Sequence, residues 1–204
     1  MYEPRFYRDW VTRSGLKTFS VVHRESDLLI RAERDLRRRA QSLLAEARDA
    51  IERHIAAHPD FAESLDPLPM PPKAAPIVRA MISAAAQYEV GPMASVAGAV
   101  AAHVGSGLLE WTSDVIVENG GDLFLRTAGP VGAGLYAGDA FADPAALRLR
   151  VEPRGRPLGM CTSSGRIGHS LSFGNADAVV AVARDAALAD AAATAIGNRI
   201  KGPS

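Results

Sequence analysis

VIVENGGDLFL, Val115 to Leu125, decides how the rest of this sequence is read. β-Branched and large apolar residues flank Asn119-Gly120, the dipeptide that most strongly signals a two-residue hairpin. The stretch therefore predicts two antiparallel strands, Asp114 to Glu118 and Leu123 to Arg126. Its loop has two readings. It is a hairpin turn, or Gly120 and Gly121 leave the backbone bare so that a ligand lies against its amides while Asn119 and Asp122 supply polar contacts.

Downstream the same pattern continues. GLYAG (Gly134 to Gly138), LRLRVE (Leu147 to Glu152), GMCTS (Gly159 to Ser163), SLSF (Ser170 to Phe173) and DAVVAVA (Asp177 to Ala183) read as strands separated by Gly, Pro, Asn or Asp. An Ala-rich helix then closes the chain, with Asp185 as its N-cap and Gly202-Pro203 as its stop. Upstream, LKTFSVV (Leu16 to Val22) and DLLIRA (Asp27 to Ala32) predict a ribbon. Leu36, Ala40, Leu43, Leu44, Ala47, Ile51 and Ile55 recur at steps of three and four, which predicts a helix ending at His58-Pro59. Pro59 to Pro76 holds six of the 13 prolines and reads as an extended connection. Ile77 to Glu89 and Met93 to Leu109 predict two more helices, the second built of Ala, Gly and Ser. Helices and strands are segregated, which gives an α+β class and one domain over residues 1–204. Its substructure is a ribbon and helix (1–58), a Pro-rich connection (59–76) and the remainder (77–204).

Composition narrows the function. The 204 residues carry 23 Lys plus Arg against 23 Asp plus Glu, a net charge of zero, which is not the footprint of a nucleic-acid binder. Apolar residues make up 48%, enough to fold, but only 6% are aromatic, so close backbone packing by Ala and Gly fills part of the interior. The single cysteine, Cys161, excludes an intrachain disulfide and a Cys-rich zinc site, and fits a reducing, cytoplasmic setting. MYEPRFYRDW at the start reads as neither a signal peptide nor a lipoprotein leader. The longest uncharged stretch, Val90 to Leu109, is interrupted by Gly, Pro and His and reads as a buried small-residue segment rather than a membrane span.

Three further segments have chemical potential. Thr162, Ser163, Ser164 and Gly165, followed by Arg166 and His169, form a hydroxyl-rich loop suited to phosphate oxygens, with His169 as a proton carrier. The alternative is a polar connection, and Cys161 beside it reads as a small buried residue. Asp190 and Thr194, four apart on a helix, project from one face and make a pair of hard oxygen ligands for Mg²⁺. Against this, Asp190 is a surface carboxylate and Thr194 bonds back to its own helix. Gly132-Ala-Gly134 fits a dinucleotide fingerprint only superficially, since it precedes a strand and opens no helix. Arg37, Arg38 and Arg39 spread around a helix and read as a solvated face.

Taken together, ENGGD, TSSG, His169 and ADAAATAIGN (Ala189 to Asn198), in that order, resemble the ApbE superfamily of flavin transferases. GPMASVAGAVAAHVG (Gly91 to Gly105), VIVENGGDLFL and CTSSGRIGHSLSFGNADAVV (Cys161 to Val180) resemble its UPF0280 branch. The resemblance implies two similar β-α-β-rich halves with a ligand cleft between them, FAD bound with Mg²⁺, and transfer of FMN to a Thr or Ser hydroxyl of an acceptor protein with release of AMP. It implies Asp190 and Thr194 as metal ligands, and Asn119, Gly120, Gly121 and Asp122 as the loop bordering the flavin nucleotide. His169 would be the catalytic histidine of the later loop. The sequence departs from the transferase pattern in two places. His169 is followed by Ser-Leu-Ser-Phe-Gly in place of a hydrophobic pair and Asp-Pro, and Val96-Ala97-Gly98-Ala99-Val100 replaces Gly-x-x-Lys-Gly. An alternative is a non-catalytic binding or accessory protein that kept the cleft. A redox or hydrolytic enzyme using Cys161 or Ser163 is a third reading, and a homo-oligomer stays open.

Overall fold

A computed structural model describes residue 11 and residues 13–135, 147–165 and 173–202. The ribbon forms as β1 (Lys17–His23) and β2 (Ser26–Ala32), antiparallel with Phe19 opposite Ile30 and Val21 opposite Leu28. Alternation puts these four side chains on one face, where all are buried. The chain then leaves the sheet for its helices: α1 (Arg37–Ala57), α2 (Asp60–Glu63), α3 (Pro76–Tyr88) and α4 (Val96–Leu108), the last preceded by a 3₁₀ turn over Pro92–Ser95. It returns as β3 (Val115–Asn119), which pairs with β2 and forms a hairpin with β4 (Asp122–Arg126). The later strands are β5 (Val131–Leu135), β6 (Leu147–Val151), β7 (Leu158–Ser163) and β8 (Val179–Ala183), and α5 (Ala186–Arg199) follows.

Six strands make one antiparallel sheet in the order β1-β2-β3-β4-β7-β8, while β5 and β6 pair separately. The helices pack on one face around Phe61, Met81, Leu108 and Phe124, and the β5–β6 hairpin covers the other around Leu123, Leu125 and Met160. This is the α+β arrangement expected from the segregation of elements.

Small residues in α4 do the work of close approach. A Cβ on Gly98 would lie 2.2 Å from the Ala186 carbonyl oxygen, and one on Gly105 would lie 2.1 Å from the Phe124 ring. The uncharged stretch is thus the packing surface between α4, α5 and the sheet. No helix among the described residues is long and apolar enough to cross a membrane.

Two boundaries differ from the sequence reading. The Pro-rich segment contains a helical turn, α2, because Phe61 is drawn fully into the core beneath His54, whose ring meets it edge-on. The run placed at Gly134 to Gly138 has its strand earlier, at Val131–Leu135, set by pairing with β6; residues 136–138 lie outside the described residues. Most of SLSF does too, and its last residue, Phe173, sits in a bend. Asp185 caps α5 as expected, accepting from the Ala187 and Leu188 N–H groups at 2.9 and 3.2 Å. Asp185→Ala should therefore cost about 1 kcal/mol, read from denaturant midpoints at unchanged slope.

Candidate functional site

Helix α5 presents Asp190, Thr194 and Asn198 at steps of four, so the three share one face of an otherwise alanine-lined helix. Asp190 lies at the start of α4, where Gly98 N–H donates to its Oδ2 at 2.8 Å. Only a glycine allows the two helices to approach this closely, so Gly98 both makes room for Asp190 and orients it. Asp122, first residue of β4, is drawn to the same place. The β4–β7 pairing sets Thr162 beside it, and Thr162 N–H donates to its Oδ1 at 3.1 Å.

Asp122, Asp190, Thr194 and Asn198 line a cavity of about 610 Å³, with walls from Ser64 to Asp66, the 3₁₀ turn and Phe173. Its described lining contains five carboxylates, Glu63, Asp66, Glu89, Asp122 and Asp190, and no Lys, Arg or His. Burial pushes the Asp122 carboxyl well up, and the charge of Asp190 pushes it further. Burial likewise raises Asp190 to about 7, opposed by the N–H groups of Gly98 and Ala97. The cause is physical: two carboxylates withdrawn from water next to each other cannot both ionise cheaply. Cys161 is fully buried beside them. Burial raises its thiol well above the usual range and the two aspartates raise it further, so it stays protonated, within reach of the Asp122 carboxylate and 3.3 Å from the Ala186 carbonyl oxygen. A protonated, inaccessible thiol is a poor nucleophile.

Such a donor set suits a hard divalent cation. Each carboxylate commits one oxygen to a backbone N–H, and the Thr194 hydroxyl lies one turn from Asp190. Among the described residues no group of three or more His, Cys, Asp or Glu is placed so that it could hold a metal ion without other donors. A cation here would rest on Asp122, Asp190 and Thr194 and complete its shell with water and ligand oxygens, the usual habit of Mg²⁺.

The raised carboxyls carry a pH signature. A carboxyl whose pKa is higher folded than unfolded adds stability that is complete below the unfolded value and is lost as pH rises through the folded one. Metal-free protein should melt at a progressively lower temperature between about pH 5 and pH 8, and saturating Mg²⁺ should flatten that dependence. A flat profile in chelator would contradict the paired-carboxylate geometry.

The remaining sequence-derived residues take other places. Gly120 and Gly121 form the hairpin turn at φ 65° and 104°, values that glycine adopts without strain. Asn119 Nδ2 donates to the Ala97 carbonyl at 3.0 Å and ties the hairpin to α4. Thr162 contributes its backbone N–H, and the Ser163 hydroxyl is buried without a partner among the described residues. Ser164 follows at the end of β7. Gly165 N–H donates to the Ala176 carbonyl, and a Cβ there would meet the Gly174 carbonyl oxygen at 2.1 Å. His169 lies outside the described residues.

Two parts of the cavity were not anticipated. Asn198 Oδ1 accepts from Phe173 N–H at 2.9 Å, and its signal was the continued step of four after Asp190 and Thr194. The Ser64 to Asp66 wall comes from the segment read as a connection. It is set by Gly91, where a Cβ would fall 1.8 Å from the Ser64 carbonyl oxygen.

Comparison with known proteins agrees with this architecture. Residues 8–204 match the family described as AbpE bacteria. A UPF0280 protein of Methanothrix thermoacetophila is 42% identical over 163 residues, 79% of this chain and 68% of that protein. One of Methanocaldococcus jannaschii is 40% identical over 184 residues, 89% of this chain and 75% of that protein. Among solved structures, the apo form of the flavinyl transferase ApbE of Pseudomonas stutzeri superposes with a TM-score of 0.56 at 14% identity, covering 89% of this chain and 83% of that one, a likeness of fold. With a family match running through nearly the whole sequence and relatives at this level of identity, the chain belongs to the UPF0280 family of ApbE-like proteins.

Proposed function

We propose that the cavity binds a flavin nucleotide or a similar phosphorylated ligand together with Mg²⁺, and that the protein transfers the FMN half of FAD to a hydroxyl of an acceptor protein. The observation that supports this reading is the convergence of Asp122 and Asp190 in a cavity whose described lining has five acids and no base. A phosphorylated ligand is repelled by such a wall unless a cation stands between them. Bound there, Mg²⁺ would supply the positive charge that offsets the pyrophosphate and the departing AMP. The chain does the rest. Gly98 and Thr162 N–H groups hold the two carboxylates in place, and Asn198 fixes the backbone of Phe173 at the wall. We assign to His169 the removal of the proton from the acceptor hydroxyl, a role that rests on the order of motifs in the sequence.

Incubating purified protein with FAD and Mg²⁺ and measuring flavin binding and AMP release tests this. Metal-dependent flavin binding with AMP release is the expected result, and failure of both ligands to bind at high concentration overturns it. The second reading, a binding protein without transferase chemistry, draws on the absence of the Asp-Pro pair after His169 and of a lysine in α4. Saturable flavin binding without AMP release, whichever acceptor is offered, selects it.

A further inference from the structure

A second cavity, of about 550 Å³, has the opposite electrostatic character: Arg154, Arg156 and Arg184 line it against a single acid, Glu152. Its position follows from register. Asp122 opens β4 at the acidic cavity, whereas Leu125 at the other end pairs with Leu158, and Gly159 pairs with Ala183 just before Arg184. The two cavities therefore sit at opposite ends of the same strands, about 13 Å apart at the rise of an extended chain. Zero net charge conceals this separation of acid from base.

The arginine cavity is held rigidly. Arg156 N–H donates to the Pro153 carbonyl at 3.0 Å, and Arg154 and Gly155 have φ of 52° and 71°, the conformation of a type I′ turn. Arginine at the first of these positions holds a left-handed backbone that side chains other than glycine rarely adopt. The turn is fastened to the end of β4 from both sides: Gly155 N–H donates to the Thr127 carbonyl at 2.8 Å, and Arg126 Nε donates to the Gly155 carbonyl at 3.1 Å. Glu152 lies 3.4 Å from Arg150 and 3.2 Å from Arg154, which steadies the latter. The side chains of Arg156 and Arg184 are exposed, and their guanidinium groups have no ion-pair or hydrogen-bond partner among the described residues.

We propose that this cavity is a metal-independent site for a phosphate monoester. Guanidinium groups offer paired N–H donors that match phosphate oxygens. Three arginines against one glutamate leave an excess that a dianion cancels; a phosphate monoester carries about −1.5 to −2 near neutral pH. A lone carboxylate supplies too little charge. The acidic cavity needs a cation to accept a phosphate, whereas this one does not, so the two sites separate cleanly in chelator.

The test is calorimetric titration of the whole protein, in EDTA, with AMP, inorganic phosphate and adenosine. AMP and phosphate should bind and adenosine should not, with affinity falling as salt is raised. Arg156→Ala/Arg184→Ala should weaken AMP binding at least about 10-fold, since each charge-assisted contact contributes about 1.5 kcal/mol or more. Both side chains are exposed, and an unchanged melting temperature confirms that the variant is folded. Asp190→Ala, which strikes the metal-dependent site, should leave AMP affinity in EDTA unchanged. Absence of AMP and phosphate binding in EDTA, equal binding of adenosine and AMP, or wild-type affinity in the double variant each overturns the proposal. Failure of flavin binding in Mg²⁺ alone bears on the function of the acidic cavity and leaves this site standing.

Discussion

Asp190→Ala is expected to abolish metal-dependent flavin binding, with a loss of at least about 100-fold, because even residues that merely support metal ligands are worth 10- to 100-fold in affinity. The variant removes one of the two carboxylates that define the acidic cavity and frees the Gly98 N–H that Asp190 accepts. Two effects on stability then oppose each other. Losing the acceptor costs about 1 kcal/mol, while removing a charge held against Asp122 is favourable in metal-free protein. Asp190→Asn isolates the second effect, since its amide oxygen still accepts from Gly98. We expect Asp190→Asn to be as stable as wild type or more so in chelator, and as deficient in Mg²⁺-dependent binding as the alanine variant. The raised carboxyl of Asp122 should also relax downward in it, because the charge of Asp190 is the largest contribution after burial. Titration of flavin fluorescence with Mg²⁺, beside melts in chelator, reads all three. Wild-type binding in Asp190→Asn would remove Asp190 from the metal site, and a loss of stability in both variants would give it a purely structural role.

The parts of this fold set by short-range rules were legible in the sequence. The hairpin, the 3–4 periodicity of α1 and the Asp185 cap each depend on residues a few positions apart; the last two form as read, and the hairpin forms with its turn one residue later, at Gly120-Gly121, because Asn119 pairs with Asp122. Arg37, Arg38 and Arg39 also spread as their adjacency dictates: Arg37 pairs with Asp35 and Arg39 stacks on the Trp111 ring at 4.6 Å. What local reading could not supply was which distant strands and helices become neighbours. Asp122 reads as a turn residue until β7 is known to lie beside β4, which brings Thr162, forty positions away, to its carboxylate. Gly98 reads as one small residue among many until α5 packs on α4 and Asp190, ninety-two positions away, takes its N–H. The same limitation hid the cavity wall at Ser64 to Asp66, where proline content signalled irregular structure but not what that structure packs against.

Gly98→Ala should then be strongly destabilising. Its Cβ would stand 2.2 Å from the Ala186 carbonyl oxygen, 2.7 Å from the carbonyl carbon and 2.8 Å from Asp190 Cβ. Two of these three atoms are backbone, so no rotamer change relieves the contact and α4 must move away from α5. Overpacking of this kind costs about 3 kcal/mol, which in a chain of this length lowers the melting temperature by on the order of 10 °C. Gly107→Ala, in the same helix, is the internal control. There the added Cβ meets the Leu43 side chain, with Cδ2 at 2.7 Å, which can rotate, and alanine's better helix propensity offsets up to about 1 kcal/mol. The two variants should therefore separate by several degrees in thermal melts. They should separate in function as well. Moving α4 withdraws the Gly98 N–H from Asp190, so Mg²⁺-dependent flavin binding should weaken in Gly98→Ala even below its melting temperature, while Gly107→Ala keeps wild-type affinity. Equal stability of the two variants would mean that α4 and α5 are not in backbone contact, and with that the geometry holding Asp190 beside Asp122 would fall.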